Sequence, residues 1–315
     1  MKKTVKAILA LGALLAPSIA TAQTYPSRQV TVVIPFAPGG SNDTIGRYLT
    51  EQLEKRWKRP VVVENRAGAG SAIGSAYVTK AKPDGYTLLF VSSSYTSNAA
   101  TQKSLPFDPL KDLQPIGMAA VADRFISTGK RVPMATLADL VREAKSQRIL
   151  YGTSGVGSLA HLTGELMNEV LGITMVPVHY AGGSEVMVDL GGGRIDVVFS
   201  SLTDISTGIG TPVAVMSERR STALPNVPTV QEAGYTDTRV PNWWGVFAPA
   251  GTPKELIDRI HQDIVAVMGT PEAAEHLARQ GAMASAMSTD AFATHVEKEL
   301  NKWKATVEKQ SVSTK

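Results

Sequence analysis

The stretch 34-IPFAPGGSNDTIGRYL-49 decides how the chain is read. β-forming residues from Val30 to Pro35 run into a turn at Pro38, Gly39 and Gly40. Ser41-Asn42-Asp43 then supplies polar capping residues, and a helical pattern follows over about Asp43–Trp57. A strand that meets a helix through a glycine turn makes an anion cradle. The first backbone N–H groups of the helix have no intrahelical partner, and the helix dipole favours negative charge there. The same grammar returns in 150-LYGTSGVGSLAHL-162, ahead of a helix over Ser158–Leu171, and in 180-YAGGSEV-186, ahead of one over Ser184–Leu190. One such turn is an ordinary helix cap. Three in one chain predict a binding cleft for a small molecule bearing a carboxylate.

Between these turns, strand-like runs alternate with helical patterns. Strands are expected at Val61–Glu64, Thr87–Ser92, Leu150–Gly152, Met175–Val178, Ile195–Ser200 and Val213–Met216, and helices at Ser71–Lys80 and Leu137–Ala144. Three helices, Lys254–Met268, Pro271–Gly281 and Thr289–Glu308, close the chain; Pro253 and Pro271 mark first-turn starts. The rhythm predicts a parallel, doubly wound α/β fold in two lobes, with the glycine turns at the carboxyl ends of the strands. With no low-complexity linker between them, the lobes are expected to be joined by strands.

The N-terminus reads as an export signal. Lys2, Lys3 and Lys6 precede an apolar run, Ala7–Ala16, and Ala20-Thr21-Ala22 is a small-x-small cleavage site, so the mature chain is expected to start at Gln23. The 315 residues contain no cysteine, which excludes disulfides, a thiol nucleophile and cysteine acylation, and export without cysteine points to a bacterial periplasm. Removal of the signal leaves 29 basic against 28 acidic residues, so the balance gives no nucleic-acid signal.

Three other chemistries compete with carboxylate binding. Gly68-Ala69-Gly70-Ser71-Ala72-Ile73-Gly74 follows a strand and looks like a dinucleotide turn, but the next strand ends in Ser92-Ser93-Ser94 rather than in a ribose-binding carboxylate. The alternative for this segment is a helix packed closely on its strand. No P-loop motif is present. Around Ser154 the G-x-S-x-G nucleophile elbow fails because Val156 stands where glycine is needed. His161 and Glu165 share a helix face, but the five histidines show no metal-ligand spacing. Neither catalysis, cofactor nor metal is therefore expected.

The matching stretches are 25-YPSRQVTVVIPFAPGGSND-43, 60-PVVVENRAGAGSAIG-74, 83-PDGYTLLF-90, 106-PFDPLKDLQPIG-117, 151-YGTSGVGSLAHLTGELM-167, 177-PVHYAGGSEVMVDLGGGRIDVVF-199, 219-RRSTALPNVPTVQEAGY-235 and 243-WWGVFAPAGTP-253, with a helical tail carrying Trp303. Taken in order over nearly the whole mature chain, they make it resemble the Bug-type (TctC-like) solute-binding proteins of tripartite tricarboxylate transporters. The resemblance implies a two-lobe, Venus-flytrap binding protein that hands a small carboxylate, a dicarboxylate or aromatic carboxylate by preference, to membrane permease subunits. A ligand sensor for a membrane signalling partner is the alternative; a monomer is expected. The expected division is a signal over residues 1–22, one lobe from 23–122 plus 228–315, and the other from 123–227.

By motif, the first-lobe loop would hold a carboxylate through Phe36, Gly39, Gly40, Ser41 and Asp43. The second lobe would contribute Ser154, Gly155, Val156, Gly157, Ser158 and His161, together with Tyr180, Gly182, Gly183 and Ser184. His161 either bonds the ligand or caps its own turn. Asp196 is expected to be structural. The chain departs from the pattern in 92-SSSYTSNAA-100, whose Ser92, Ser93, Ser94 and Thr96 are expected on the cleft wall. Arg124 is the cation to inspect for a buried carboxylate, with a surface role as the equal alternative. The segment 200–215 is short, and Asp204 near it would repel a second carboxylate or bind an amino group or water. Tyr95, Tyr180, Trp243 and Trp244 are candidates for stacking on an aromatic acid, with a place in the core or at the rim as the alternative for each.

Overall fold

The computed structural model describes residues 25–180, 183–236 and 238–310. The expected signal peptide, the start at Gln23 and the site residue Gly182 lie outside them. The described chain runs β1 (Val30–Ile34), α1 (Ser41–Trp57), β2 (Val61–Asn65), α2 (Ala72–Thr79), β3 (Thr87–Ser92), α3 (Ser94–Thr101) and β4 (Leu113–Ala122). It continues through β5 (Phe125–Thr128), α4 (Leu137–Ser146), β6 (Ile149–Thr153), α5 (Leu159–Leu171), β7 (Met175–His179), α6 (Gly183–Gly191), β8 (Val197–Ser200), α7 (Leu202–Ile205) and β9 (Thr211–Val215). It returns in β10 (Asn242–Pro249), α8 (Lys254–Met268), α9 (Pro271–Arg279), β11 (Ala282–Ala284) and α10 (Thr289–Gln310).

Two sheets result, in strand orders β11-β4-β10-β3-β1-β2 and β7-β6-β8-β5-β9. β1 pairs parallel with β2 and β3, and β6 with β7 and β8, as the βαβ rhythm requires. The sheets are nonetheless mixed, not wholly parallel. β10 runs antiparallel between β3 and β4, and β5 runs antiparallel between β8 and β9. The physical cause is the crossing: a strand that enters a sheet from the other lobe arrives at the opposite end and runs backwards.

Alternation along the strands buries both faces of the first sheet. Val32, Ile34, Leu88, Phe90, Trp244 and Val246 pack on α1 and α8, whereas Val33, Leu89, Val91, Trp243 and Phe247 pack with Tyr95, Phe292 and Val296 on the other face. Helix α1 follows because Ile45, Leu49, Leu53 and Trp57 form one stripe, all buried. The second sheet packs Ile126, Tyr151, Val197 and Phe199 against Leu140, Leu162 and Met167. Val230, Val240 and Trp303 also pack in this second core. The return segment and the far half of α10, expected with the first lobe, therefore share in the core of the second.

Candidate functional site

In the second lobe, the chain leaves β6 through two left-handed glycines, Gly155 (φ 111°) and Gly157 (φ 75°), and enters α5. Ser158 caps the helix, its Oγ accepting the His161 N–H at 3.3 Å. His161 is buried, and its Nδ1 accepts the Gly157 N–H at 3.0 Å, so a neutral ring carries its proton on Nε2. Burial, with His179 nearby, holds the His161 pKa below its usual 6.5 against the pull of Glu165. His161 thus pins its own loop through Nδ1 and its backbone N–H, the capping role open from sequence. The N–H groups of Gly155 and Ser158 are also bound inside the loop, to Thr153 Oγ1 at 3.2 Å and to the Gly155 carbonyl at 3.2 Å. The donors expected to face an anion at Gly155, Gly157 and Ser158 are thus engaged by the turn itself, while Ser154 and Val156 stand exposed.

A cavity of about 170 Å³ opens beside this turn, lined in part by Arg124, Thr153, Ser154, Gly183, Ser200 and Asp204. Thr153 and Ser200 end β6 and β8, the carboxyl ends where α/β proteins place ligands. The sequence reading missed both, although strand-end position was the available signal. Arg124 donates through Nη1 to the Phe199 carbonyl at 3.1 Å. Its Nε is buried without a partner, and among the described residues no carboxylate forms an ion pair with it. Burial lowers its pKa to about 10, with the charges of Asp204 and Glu299 pulling the other way. Asp204 uses Oδ2 to accept from the Ser201 N–H (2.8 Å) and Oγ (2.7 Å). Ser184 is exposed at the start of α6. Tyr180 donates its hydroxyl to Asp189 at 2.7 Å, and burial together with that bond pushes its pKa up to about 12.

In the first lobe, Asp43 is a buried organiser. Its carboxylate accepts from the Gly39 N–H (3.0 Å), Arg47 Nε (2.9 Å) and Asn65 Nδ2 (2.9 Å). Neither Gly39 N–H nor Asp43 is therefore presented to a ligand as expected; both shape the loop. Phe36 packs its ring on the first core, and its carbonyl accepts from Asn65 at 3.0 Å. Gly40 and Ser41 are exposed at the head of α1, and a Cβ on Gly39 or Gly40 would meet nothing within 4 Å. The approach to this helix N-terminus is open.

The hydroxyl-rich segment is not a bare cleft wall. Ser93 is fully buried, with Oγ donating to Asn242 Oδ1 at 2.7 Å and its N–H donating to the Trp243 carbonyl. Thr96 donates to Glu299 Oε2 at 2.6 Å. Ser92 and Ser94 bond each other at 2.8 Å. Buried hydroxyls must find partners, and here the partners are protein groups. Tyr95, Trp243 and Trp244 are core residues, which removes them as stacking candidates. The Gly68–Gly74 turn packs as the alternative reading had it: a Cβ on Gly74 would lie 2.7 Å from Pro35 Cβ. Asp196 is fully buried, bound by Arg131 and by the Leu150 N–H at 2.8 Å, a structural role.

Residues 45–312 match the family model described as the tripartite tricarboxylate transporter family receptor, TctC. Among solved structures, the chain is similar to Rpa4515 of R. palustris with adipate, at 29% identity and TM-score 0.78, over 92% of this chain and 99% of that one. It is similar to periplasmic binding protein BugD at 30% identity and TM-score 0.75, over 92% and 100% of the two chains. MatC from Rhodopseudomonas palustris with bound malate matches at 26% identity and TM-score 0.75, over 90% and 100%.

Proposed function

The chain belongs to the tripartite tricarboxylate transporter receptor (TctC) family, and from that premise we propose that it captures a small carboxylate, a dicarboxylate by preference, between its lobes for delivery to membrane permease subunits. Proteins of this family are periplasmic solute-binding receptors, not enzymes. The observation that carries the reading is Arg124, a guanidinium with a buried, unpartnered Nε in a cavity lined by serine, threonine and glycine. A buried cation without a counter-ion is costly, and a ligand carboxylate supplies the missing charge. Gly40 and Ser41 at the open α1 N-terminus receive the ligand's other end. Adipate and malate, held by the two similar proteins, are both dicarboxylates.

In this scheme the signal is cleaved after Ala22 and the protein works as a periplasmic monomer. The two lobes, with the return segment and the far half of α10 contributing to the core of the second, close by hinge motion on the ligand, and the permease reads the closed form. The test is a thermal-shift screen of refolded, ligand-free mature protein against aliphatic di- and tricarboxylates, acidic amino acids, aromatic carboxylates and NAD(H). A ligand at about 100 times its dissociation constant adds about 2.7 kcal/mol. Stabilisation by one carboxylate class is expected. Stabilisation by NAD(H) alone would overturn the reading.

A further inference from the structure

Behind the lobe crossing lies a second space, a crevice of about 260 Å³ with one wall from each lobe. Ala278, Gly281 and Met283, around the turn from α9 into β11, form the first-lobe wall, and Leu202 and Ala223 the other. Asp123 lines this crevice while the next residue, Arg124, lines the cavity beside the β6–α5 turn, so the crossing segment separates the two spaces. Strand order agrees. β4 and β10, which carry the chain between lobes, stand between β11 and β1, and the turn that presents Gly40 and Ser41 follows β1.

The walls of the crevice touch at Gly281. This residue has left-handed backbone (φ 65°), and a Cβ on it would lie 2.9 Å from Leu202 Cβ and 3.6 Å from the Thr203 backbone nitrogen. The obstacle is the root of a side chain, not a flexible tip. Leu202 is itself packed in the cluster built on Phe125 and Val215, so it cannot swing aside. Two bodies that pivot about crossing strands narrow at the rear as they widen at the front, and packed groups resist compression. Resting on the hinge motion of the proposed function, we propose that Leu202 against Gly281 is a rear stop that limits how far the ligand cleft opens. A limited opening keeps the ligand-free lobes near their closed arrangement, so less of the ligand's binding energy is spent on moving them.

The test reads the lobe separation directly. The chain has no cysteine, so Ile73→Cys and Val188→Cys place two spin labels at exposed positions, one on each lobe, without background. Pulsed electron–electron double resonance then gives the distance between them in ligand-free protein. Gly281→Asn adds a Cβ, and asparagine tolerates left-handed backbone. It wedges the rear and should shorten the label distance by about 1–3 Å. Leu202→Gly removes the obstructing Cβ and should lengthen the distance and broaden its distribution. The double variant should return close to the wild-type distance, because the two changes act on one contact. Circular dichroism melts show which variants fold, and either single variant decides the matter without the other. No change in the label distance, or a shift opposite to the one stated, would overturn the stop. The hinge reading fails separately, if the wild-type distance does not shorten with the carboxylate found in the thermal-shift screen.

Discussion

Replacing Arg124 with methionine should stabilise the ligand-free protein and cripple binding, two effects of opposite sign from one side chain. The guanidinium's pKa falls from its usual 12.5 to about 10 because burial strips its hydration. That difference corresponds to roughly 3 kcal/mol of destabilisation, at about 1.4 kcal/mol per tenfold change in proton affinity. The sign follows from where the group titrates. Below about pH 10 it is charged both folded and unfolded, so the penalty is fully present at neutral pH, constant down into the acid range, and relieved only above pH 10. Methionine fills the stem's volume without charge. It forfeits the bond to the Phe199 carbonyl, about 1–1.5 kcal/mol, so a net gain of about 1–2 kcal/mol remains. Calorimetric melts of the ligand-free variant should rise by roughly 2–8 °C, equally at pH 5 and pH 8. Affinity for the ligand found in the screen should fall on the order of 100-fold, as two charge-assisted bonds are lost. A variant that melts lower and binds normally would refute the argument, because Arg124 would then be a structural cation with partners of its own.

Asp43→Asn should cost about 2–3 kcal/mol at pH 7 by urea denaturation. Burial raises the Asp43 pKa, but bonds from Arg47, Asn65 and Gly39 outweigh it and hold the group below the usual carboxylate range. Its stabilisation is therefore present above the unfolded carboxylate's pKa near 3.9 and is lost as pH falls through the lower folded value, so the gap between wild type and variant should close in strong acid. Gly164→Ala should destabilise by about 1–3 kcal/mol through overpacking, since the added Cβ would lie 2.2 Å from Tyr151 Cε2, in a ring held by the Glu165 bond at 2.6 Å. Glu299→Gln should cost under about 1 kcal/mol, because one amide oxygen still accepts from Thr96 and Trp243 and the other carboxylate oxygen has no partner. Glu299→Ala strands both buried donors and should cost about 2–5 kcal/mol; equal melting points for the two variants would sink this account.

What was legible in the sequence was whatever rests on local periodicity. The strand, glycine turn and helix at 30–57 could be read because Ile45, Leu49, Leu53 and Trp57 repeat at helical spacing behind a turn that only glycine makes easily. Strand β10 was not read as a strand: Asn242–Pro249 is buried on both faces, so it shows a continuous apolar run with no alternation. Helix α3 was expected only as a stretch of cleft wall, not as a helix, because apart from Tyr95 its residues are hydroxyl-bearing, amide or alanine and carry no apolar stripe. Its stability comes from back-bonds such as Thr96 Oγ1 to the Ser93 carbonyl and from Glu299, distant by 203 residues. The site shows the same division. Glycine turns announce where backbone N–H groups cluster, but not whether those groups are already spent. Gly39 and Gly157 give theirs to Asp43 and His161, each four residues onward, which makes the turns rigid frames more than bare cradles. Arg124 lines the cavity without an ion-pair partner among the described residues; the sequence marks it as the cation to inspect, but no motif says whether it is buried or at the surface. Only the fold decides between those two roles: it buries the Nε without a partner and, among the described residues, leaves it no carboxylate, the place that the proposed function gives to a ligand.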